Sequence, residues 1–403
     1  MRDIVIVGGG ASGLLVAVVA ARRGKRVTII EHKERVGKKI LATGNGRCNY
    51  TNSYMDISCF RSDNIDFIKP GLESFSYNKT IDFFMDLGIY PKNIDGNIYP
   101  NSQQAFAVRD VLELEAIHLG VNIICDTKVE HIKKNGEHFA LRTNHSDYKA
   151  KKVVLATGGS ASKNLGSDGS GFKLAKELGH KVIKPLPALV QLRSNESFFN
   201  MLAGVRSQAY IELYVDDELA STESGELQFT KYGVSGIPIF QISRYVSKAL
   251  DKSQVIKLKI DLMHDLDWKA IMNLLEKRIT TNSYKNIEEI FYGLFNNKII
   301  LCLLKRTGIP PKLGANKISK GQLINLVNMI KNFEVDIIET NPFDNAQVTC
   351  GGVDTTQVTK RTMESRLVLG LYFSGEILDV DGTCGGYNLQ WAWSSGFLVG
   401  SHV

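Results

Sequence analysis

The first thirty-one residues restrict the fold more than any other stretch of the chain. Ile4-Val5-Ile6-Val7 is a short apolar run of the kind that forms a buried strand, and Gly8-Gly9-Gly10-Ala11-Ser12-Gly13 follows at once. Leu14 to Arg23 reads as a helix closed by Gly24, and Arg26-Val27-Thr28-Ile29-Ile30 reads as a second strand ending on Glu31. Strand, glycine turn, helix and a second strand with a terminal acid is the order that a dinucleotide-binding βαβ unit requires. In that reading Gly8 makes the tight turn, Gly10 lets the backbone approach a pyrophosphate, and Gly13 lets the helix lie close on the strand. The helix start offers free N–H groups and the positive end of a dipole to the phosphates. Glu31 accepts hydrogen bonds from ribose hydroxyls and disfavours a 2′-phosphate.

A chain of 403 residues is long for one core and points to two or three domains. Its 43% hydrophobic and 23% charged residues are those of an ordinary globular protein. The net charge of +7 is scattered, which reads as a solvated basic surface and leaves room for anionic substrates or nucleic acid. None of the six cysteines forms a C-x-x-C pair, so reduced thiols in a cytoplasmic protein are expected. The early strand leaves no room for a charged leader, and the apolar run Leu14 to Ala21 is too short to span a bilayer. The eight histidines include no H-x-x-x-H pair, and no metal site is expected. His131, His138 and His145 read as surface residues.

Three later segments select FAD over a nicotinamide cofactor. Gly37-Lys38-Lys39-Ile40-Leu41-Ala42-Thr43-Gly44-Asn45-Gly46-Arg47-Cys48-Asn49 lies just after the second strand, where a flavin would pass. Arg47 there offers a rigid fork of donors. Cys48 is either a redox thiol or a small packing residue. Lys152-Val153-Val154-Leu155-Ala156-Thr157-Gly158-Gly159 is a strand running into a turn that returns the chain to the cofactor. Leu371 to Asp381 is a strand entering the Gly375-Glu376 turn, and Gly385-Gly386-Tyr387-Asn388-Leu389-Gln390 opens a terminal helix running to about Val399. That helix start is expected at the pyrimidine end of the flavin, where its dipole stabilises negative charge. Trp391 and Trp393 read as packing residues.

Together these runs resemble the bacterial NAD(P)/FAD-dependent oxidoreductase family that includes aminoacetone oxidase and the 3-dehydro-bile-acid ene-reductases. The most specific are Asn45-Gly46-Arg47-Cys48-Asn49 and Gly385-Gly386-Tyr387-Asn388-Leu389-Gln390-Trp391-Ala392. Gly225 to Thr230, Tyr232 to Gly236 and Lys331-Asn332-Phe333 extend the likeness over nearly the whole chain. The resemblance implies FAD contacts at Ala11, Glu31, Arg47, Cys48, Asn49, Val129, Glu376, Asn388 and Leu389. Ser12, His32, Lys39, Thr43, Ala156, Thr157, Gly158, Gly375 and Gly386 complete the candidate set with the fingerprint glycines. Lys231, where the family carries His, and Cys384, where a polar residue is common, depart from the pattern.

The implied fold is α/β: a split FAD-binding Rossmann-like domain of the two-dinucleotide-binding type, with an inserted β-barrel and a helical subdomain on the substrate side. Residues 1–187 and 342–403 are assigned to the FAD domain, 188–261 to the barrel and 262–341 to the helical part. Pro185-Leu186-Pro187 marks the exit, and His131 to Lys152 reads as a β-meander. The one dinucleotide fingerprint goes to FAD, so NADH or NADPH binds transiently as hydride donor or the substrate itself reduces the flavin. Three activities stay open: NAD(P)H-dependent reduction of a bile-acid or steroid-like enone, oxidation of a small amino-ketone by oxygen, and RNA binding or modification. The favoured partner is a small molecule, with no nucleic acid and no membrane. Cys48 and Tyr387 are the candidates beside the reactive ring.

Overall fold

The computed structural model describes all 403 residues, in two units: 1–187 with 343–403, and 188–342. In the first, the expected βαβ unit forms strand β1 (Arg2–Val7), helix α1 (Ala11–Arg22) and strand β2 (Val27–Ile30). Val5 and Ile6 are fully buried, as are Leu14 to Ala17, so both elements are apolar on every side. Such strands belong in the middle of a covered parallel sheet. The sheet order is Asn122–Ile124, β2, β1, Asp147–Leu155, His138–Thr143 and Val129–Asn135. Strand Leu371–Phe373 joins it beside Asp147–Leu155.

The long strand Asp147–Leu155 does two jobs. Its first half pairs antiparallel with His138–Thr143, completing the meander, while Val153 to Leu155 pair in parallel with β1 and with Leu371–Phe373. Five parallel strands therefore end along one edge. Gly8, Glu31, Cys125, Ala156 and Ser374 are the residues that leave that edge. Ligands of open α/β sheets bind in the crevice outside such carboxyl ends.

The C-terminal helix Tyr387–His402 packs along α1 in parallel. A Cβ on Gly396 would stand 3.0 Å from Ser12 O, and one on Gly400 would stand 2.7 Å from Val19 Cβ. Only glycine allows this approach, and the helix is buried over most of its length. Trp391 and Trp393 are fully packed, with Nε1 groups donating to Gly375 O (3.2 Å) and Tyr50 O (2.8 Å).

The second unit is one seven-stranded sheet with helices against it. Its order is Phe333–Ile337, Ile256–Asp261, Arg206–Val215, Glu218–Thr230, Gly233–Ser235, Leu192–Arg193 and Glu339–Thr340. The two outermost strands follow each other in the chain through Ile338, whose N–H donates to Arg193 O (3.0 Å), so the sheet curls back on itself. Asp216 and Asp217 turn the Arg206–Val215 hairpin with φ of 50° and 63°, as a tight hairpin demands. The residue 261/262 boundary marks where strands give way to helices rather than where a core ends. Ile211 and Phe229 of the sheet share one apolar cluster with Leu275, Leu303 and Leu326 of the helices. The physical reason is that amphipathic helices such as Lys320–Lys331 must bury an apolar face, and the sheet supplies it.

Candidate functional site

The glycines of the first turn divide by what an added methyl would meet. A Cβ on Gly8 (φ +100°) would stand 2.5 Å from Ala156 O, and one on Gly13 would stand 2.0 Å from Gly8 O. A Cβ on Gly10 would meet nothing within 4 Å. Gly8 and Gly13 are thus tied to the fold, while the face over Gly10 is open. Gly10 caps α1 with no side-chain bond and no acid in the first turn, so the amides of Ala11, Ser12 and Gly13 keep their donors.

Glu31 is buried at the end of β2. Its carboxylate accepts from Gly9 N (2.7 Å) and Lys33 N (2.9 Å) and retains lone pairs for further donors. His32 Nδ1 lies 3.4 Å from Glu31 Oε1. Backbone bonds from Glu31 N to Ile124 O and from Thr127 N to Glu31 O bring the start of strand Val129–Asn135 beside this acid. Four chain segments meet in a second polar cluster. Lys39 Nζ donates to Glu376 Oε2 (2.8 Å), and Glu376 Oε1 accepts from Thr349 N (2.9 Å). Thr349 Oγ1 in turn accepts from the amides of Ser160 and Ala161 at 2.8 and 3.1 Å, fixing the loop that follows Ala156-Thr157-Gly158.

Two segments frame the other end. Gly44, Asn45 and Cys48 all have positive φ, and Cys48 N donates to Thr43 O (3.0 Å), so Thr43–Cys48 forms a tight loop. Arg47 is exposed on that loop with its guanidinium 5.0 Å from the Tyr99 ring centre. Asn49 Nδ2 donates to Asn97 Oδ1 (2.7 Å), while Asn49 Oδ1 is buried without a partner. A Cβ on Gly386 would stand 2.9 Å from that orphaned oxygen. Gly386 (φ +89°) caps the C-terminal helix with no side-chain bond, which leaves the first amides of that helix open beside it. Gly375 is held by Ser395 Oγ (2.9 Å from Gly375 N), and Ser12 Oγ donates to Ser374 O (3.2 Å).

The parallel packing sets a stagger. Gly396 faces the start of α1, nine residues beyond Tyr387, so the C-terminal helix begins about 13 Å ahead of that point along the axis at 1.5 Å per residue. One carboxylate, one open helix start and a second open helix start match the adenosine ribose, the diphosphate and the ring end of an extended dinucleotide. The open face over Gly10 and the orphaned Asn49 acceptor both fit FAD: a close diphosphate at the first, and a donor such as a pyrimidine N–H at the second.

The side chains of several other expected site residues are packed into the fold. Burial pushes the Cys48 thiol up to about 12 against the opposing hydrogen bond to Thr43, so it stays protonated and packs rather than serving as a thiolate. Burial, with a hydrogen bond to Cys59, also raises the Tyr387 phenol, whose ring meets Phe60 edge-on at 5.8 Å. The Asn388 side chain is spent on the Gly382 turn, accepting from Gly382 N (2.8 Å) and donating to Gly382 O (2.9 Å). Leu389 is half-buried against the core, Val129 is buried, and Gly171 packs on Thr157.

Two positions escaped the sequence reading. Thr349 sits in Val348–Val353, whose Gly351 and Gly352 have φ of +86° and +143°. Its partners lie far along the chain, and no local spacing singles it out. Gln390 is fully buried and satisfied, accepting from Thr51 and Thr80 hydroxyls and donating to Phe75 O and Ser394 Oγ. It anchors the start of the C-terminal helix, and no spacing rule announces it.

The comparisons agree with this geometry. A family model described as HI0933-like protein Rossmann domain matches residues 2–402. The chain is 42% identical over 402 residues to 3-dehydro-bile acid delta(4,6)-reductase of Clostridium scindens, covering 99% of this chain and 98% of that protein. It is 31% identical over 400 residues to the ribosomal RNA dihydrouridine synthase of Haemophilus influenzae, covering 98% and 96%. The corresponding Escherichia coli protein is 31% identical over 398 residues, with the same coverage. The resemblance read from the motifs is borne out along the whole chain, which belongs to the HI0933-like Rossmann-domain family of flavoprotein oxidoreductases.

Proposed function

We propose that this protein is an FAD-dependent reductase of a carbon–carbon double bond conjugated to a carbonyl, on a small steroid-like substrate, with NADH or NADPH as hydride donor. The observation that carries the cofactor reading is the pair of open helix starts at Ala11 and Tyr387, with Glu31 at the end of the neighbouring strand. The substrate class rests on the 42% identity to a bile-acid reductase over the full length of both chains.

When bound, FAD would supply the hydride-transfer chemistry, taking two electrons from NADH or NADPH and passing them to the enone, whose second carbon would take a proton from solvent. The amides of Ala11 to Gly13 would hold the diphosphate, Glu31 would accept from the ribose, and Asn49 Oδ1 would receive a ring N–H. The first amides of the C-terminal helix stabilise negative charge at the pyrimidine edge. Tyr387 keeps its phenolic proton through neutral pH because its environment disfavours the anion.

A second reading is supported by the two dihydrouridine synthase relatives. Forming dihydrouridine saturates a double bond conjugated to a carbonyl, so the chemistry is the same and only the substrate changes.

The test is anaerobic. Flavin reduced by NADH or NADPH is mixed with a 3-oxo-4-ene steroid, and the return of yellow absorbance is followed. Rapid reoxidation with formation of the saturated ketone is the expected result. Reoxidation by uridine-containing RNA alone overturns the steroid assignment in favour of the second reading. Peroxide from aminoacetone in air, with no enone turnover, overturns both.

A further inference from the structure

The segment from Thr51 to Cys59 runs beside the cap of the C-terminal helix and is pinned to it at both ends. At one end the Asn52 amide joins two stretches of backbone: Nδ2 donates to Gly385 O (2.9 Å), and Oδ1 accepts from Tyr54 N (2.9 Å). Thr51 belongs to the same contact, since a Cβ on Gly386 would stand 2.8 Å from its carbonyl oxygen. At the other end Thr383 N donates to Cys59 O (2.9 Å), and Phe60 and Arg61 pair antiparallel with Gly382 and Asp381. The loop between these anchors, Ser53 to Ser58, therefore arches beside the residues that open the helix, at the ring end of the cofactor site.

The side chains of the arch divide. Met55 and Ile57 are partly buried against the core, and Asp56 Oδ1 accepts from Ser58 N (2.8 Å), which stiffens the far side of the loop. Tyr54 points the other way and is 64% exposed. Its phenol stands close enough to Tyr387 to help raise that phenol, after burial and Cys59. A large ring is thus held in water on a backbone clamped to the helix cap.

A 3-oxo-4-ene steroid makes a demand that a small enone does not. Its conjugated ring must reach the flavin, while the other fused rings extend beyond it and stay in water unless the protein covers them. An aromatic side chain at the mouth supplies that cover. Tyrosine suits the place because its apolar body carries a polar tip that tolerates solvent when no substrate is bound.

We infer that Tyr54 recognises the apolar body of the substrate, its ring packing against the fused rings beyond the enone. The inference rests on the reductase reading and names a specificity-determining residue for it.

The experiment uses the full-length, FAD-loaded protein and two enones: a 3-oxo-4-ene steroid, and 2-cyclohexenone, which lacks the further rings. Steroid binding to the oxidised protein is read from the shift in flavin absorbance. The second-order rate constant for each enone is read from anaerobic reoxidation of dithionite-reduced flavin. Tyr54→Ala should weaken steroid binding at least about tenfold and lower the steroid-to-cyclohexenone ratio of rate constants by a similar factor, while Tyr54→Phe keeps both within about twofold of native. An unchanged ratio in Tyr54→Ala overturns the inference and leaves the reductase reading standing. An equal loss for both enones, or loss of flavin from the variant, is what a structural role for the loop produces, and overturns it as well. Equal weakening in Tyr54→Phe assigns the effect to the hydroxyl and also overturns it. A native protein that neither binds nor reduces the steroid overturns the reductase reading, and the inference with it.

Discussion

Gly10 and Gly13 stand one helical turn apart, and an added methyl separates their roles. Gly10→Ala places a Cβ in open space, so the apoprotein should keep its unfolding midpoint, while flavin retention after dialysis falls at least about tenfold because the diphosphate loses its close approach. Gly13→Ala drives a Cβ to 2.0 Å from Gly8 O and should destabilise the fold by roughly 1–3 kcal/mol whether or not flavin is present. Urea unfolding and flavin absorbance on both variants decide the matter. Equal loss of stability in the two would refute the division. At this scale the sequence was legible where function is local. The turn, its helix and Glu31 lie within one contiguous stretch, and their roles follow from backbone geometry. Cys48 was not legible, because its burial depends on residues far along the chain, and only that burial chooses between thiolate chemistry and packing.

At the scale of elements, the alignment of the C-terminal helix on α1 sets the distance between the two open helix starts. Gly400→Val would bring a side chain onto Val19, where a Cβ already stands at 2.7 Å. The expected outcome is a loss of roughly 1–3 kcal/mol and weaker flavin retention, because the helices must separate or slide. A variant that loses stability yet holds flavin as well as the native protein would show that the stagger does not position the cofactor. The parallel core was readable from its continuous apolar runs and glycine turns, and helix Lys320–Lys331 from its apolar spacing. What the sequence could not give was the return of Phe333–Ile337 and Glu339–Thr340 to the sheet after the helices. Strand partners so far apart in sequence leave no local signature. Thr349 was missed for the same reason, since its partners are Ser160, Ala161 and Glu376.

For the whole molecule, acid is the informative stress. Burial works to raise the Asp168 carboxyl, but hydrogen bonds from Ser170 and the Lys128 ammonium outweigh it and hold the group at about 2, below its ordinary 3.8. A depressed carboxyl contributes stability above the unfolded value and loses it as pH falls toward the folded one. Asp168→Asn should therefore cost about 1 kcal/mol at pH 7, after allowance for the half-exposed Lys128. The gap from the native protein should shrink between about pH 4 and pH 2. Urea midpoints of both proteins across that range test it, and a gap that is constant with pH contradicts the assignment. Asp168 also fixes the loop after Ala156-Thr157-Gly158, through Ser170 and the neighbouring Gly169 N–H to Gly159 O, so acid should loosen the cofactor edge early.

The strand Leu371–Phe373 and the helix after it reach the sheet only once residues 188–342 have been made. A growing chain that has just released that second unit already owns its glycine turn and Glu31, yet it has nothing to grip the far end of a flavin. The groups proposed to hold the two ends of a flavin therefore stand together only after the last helix of the polypeptide has been made.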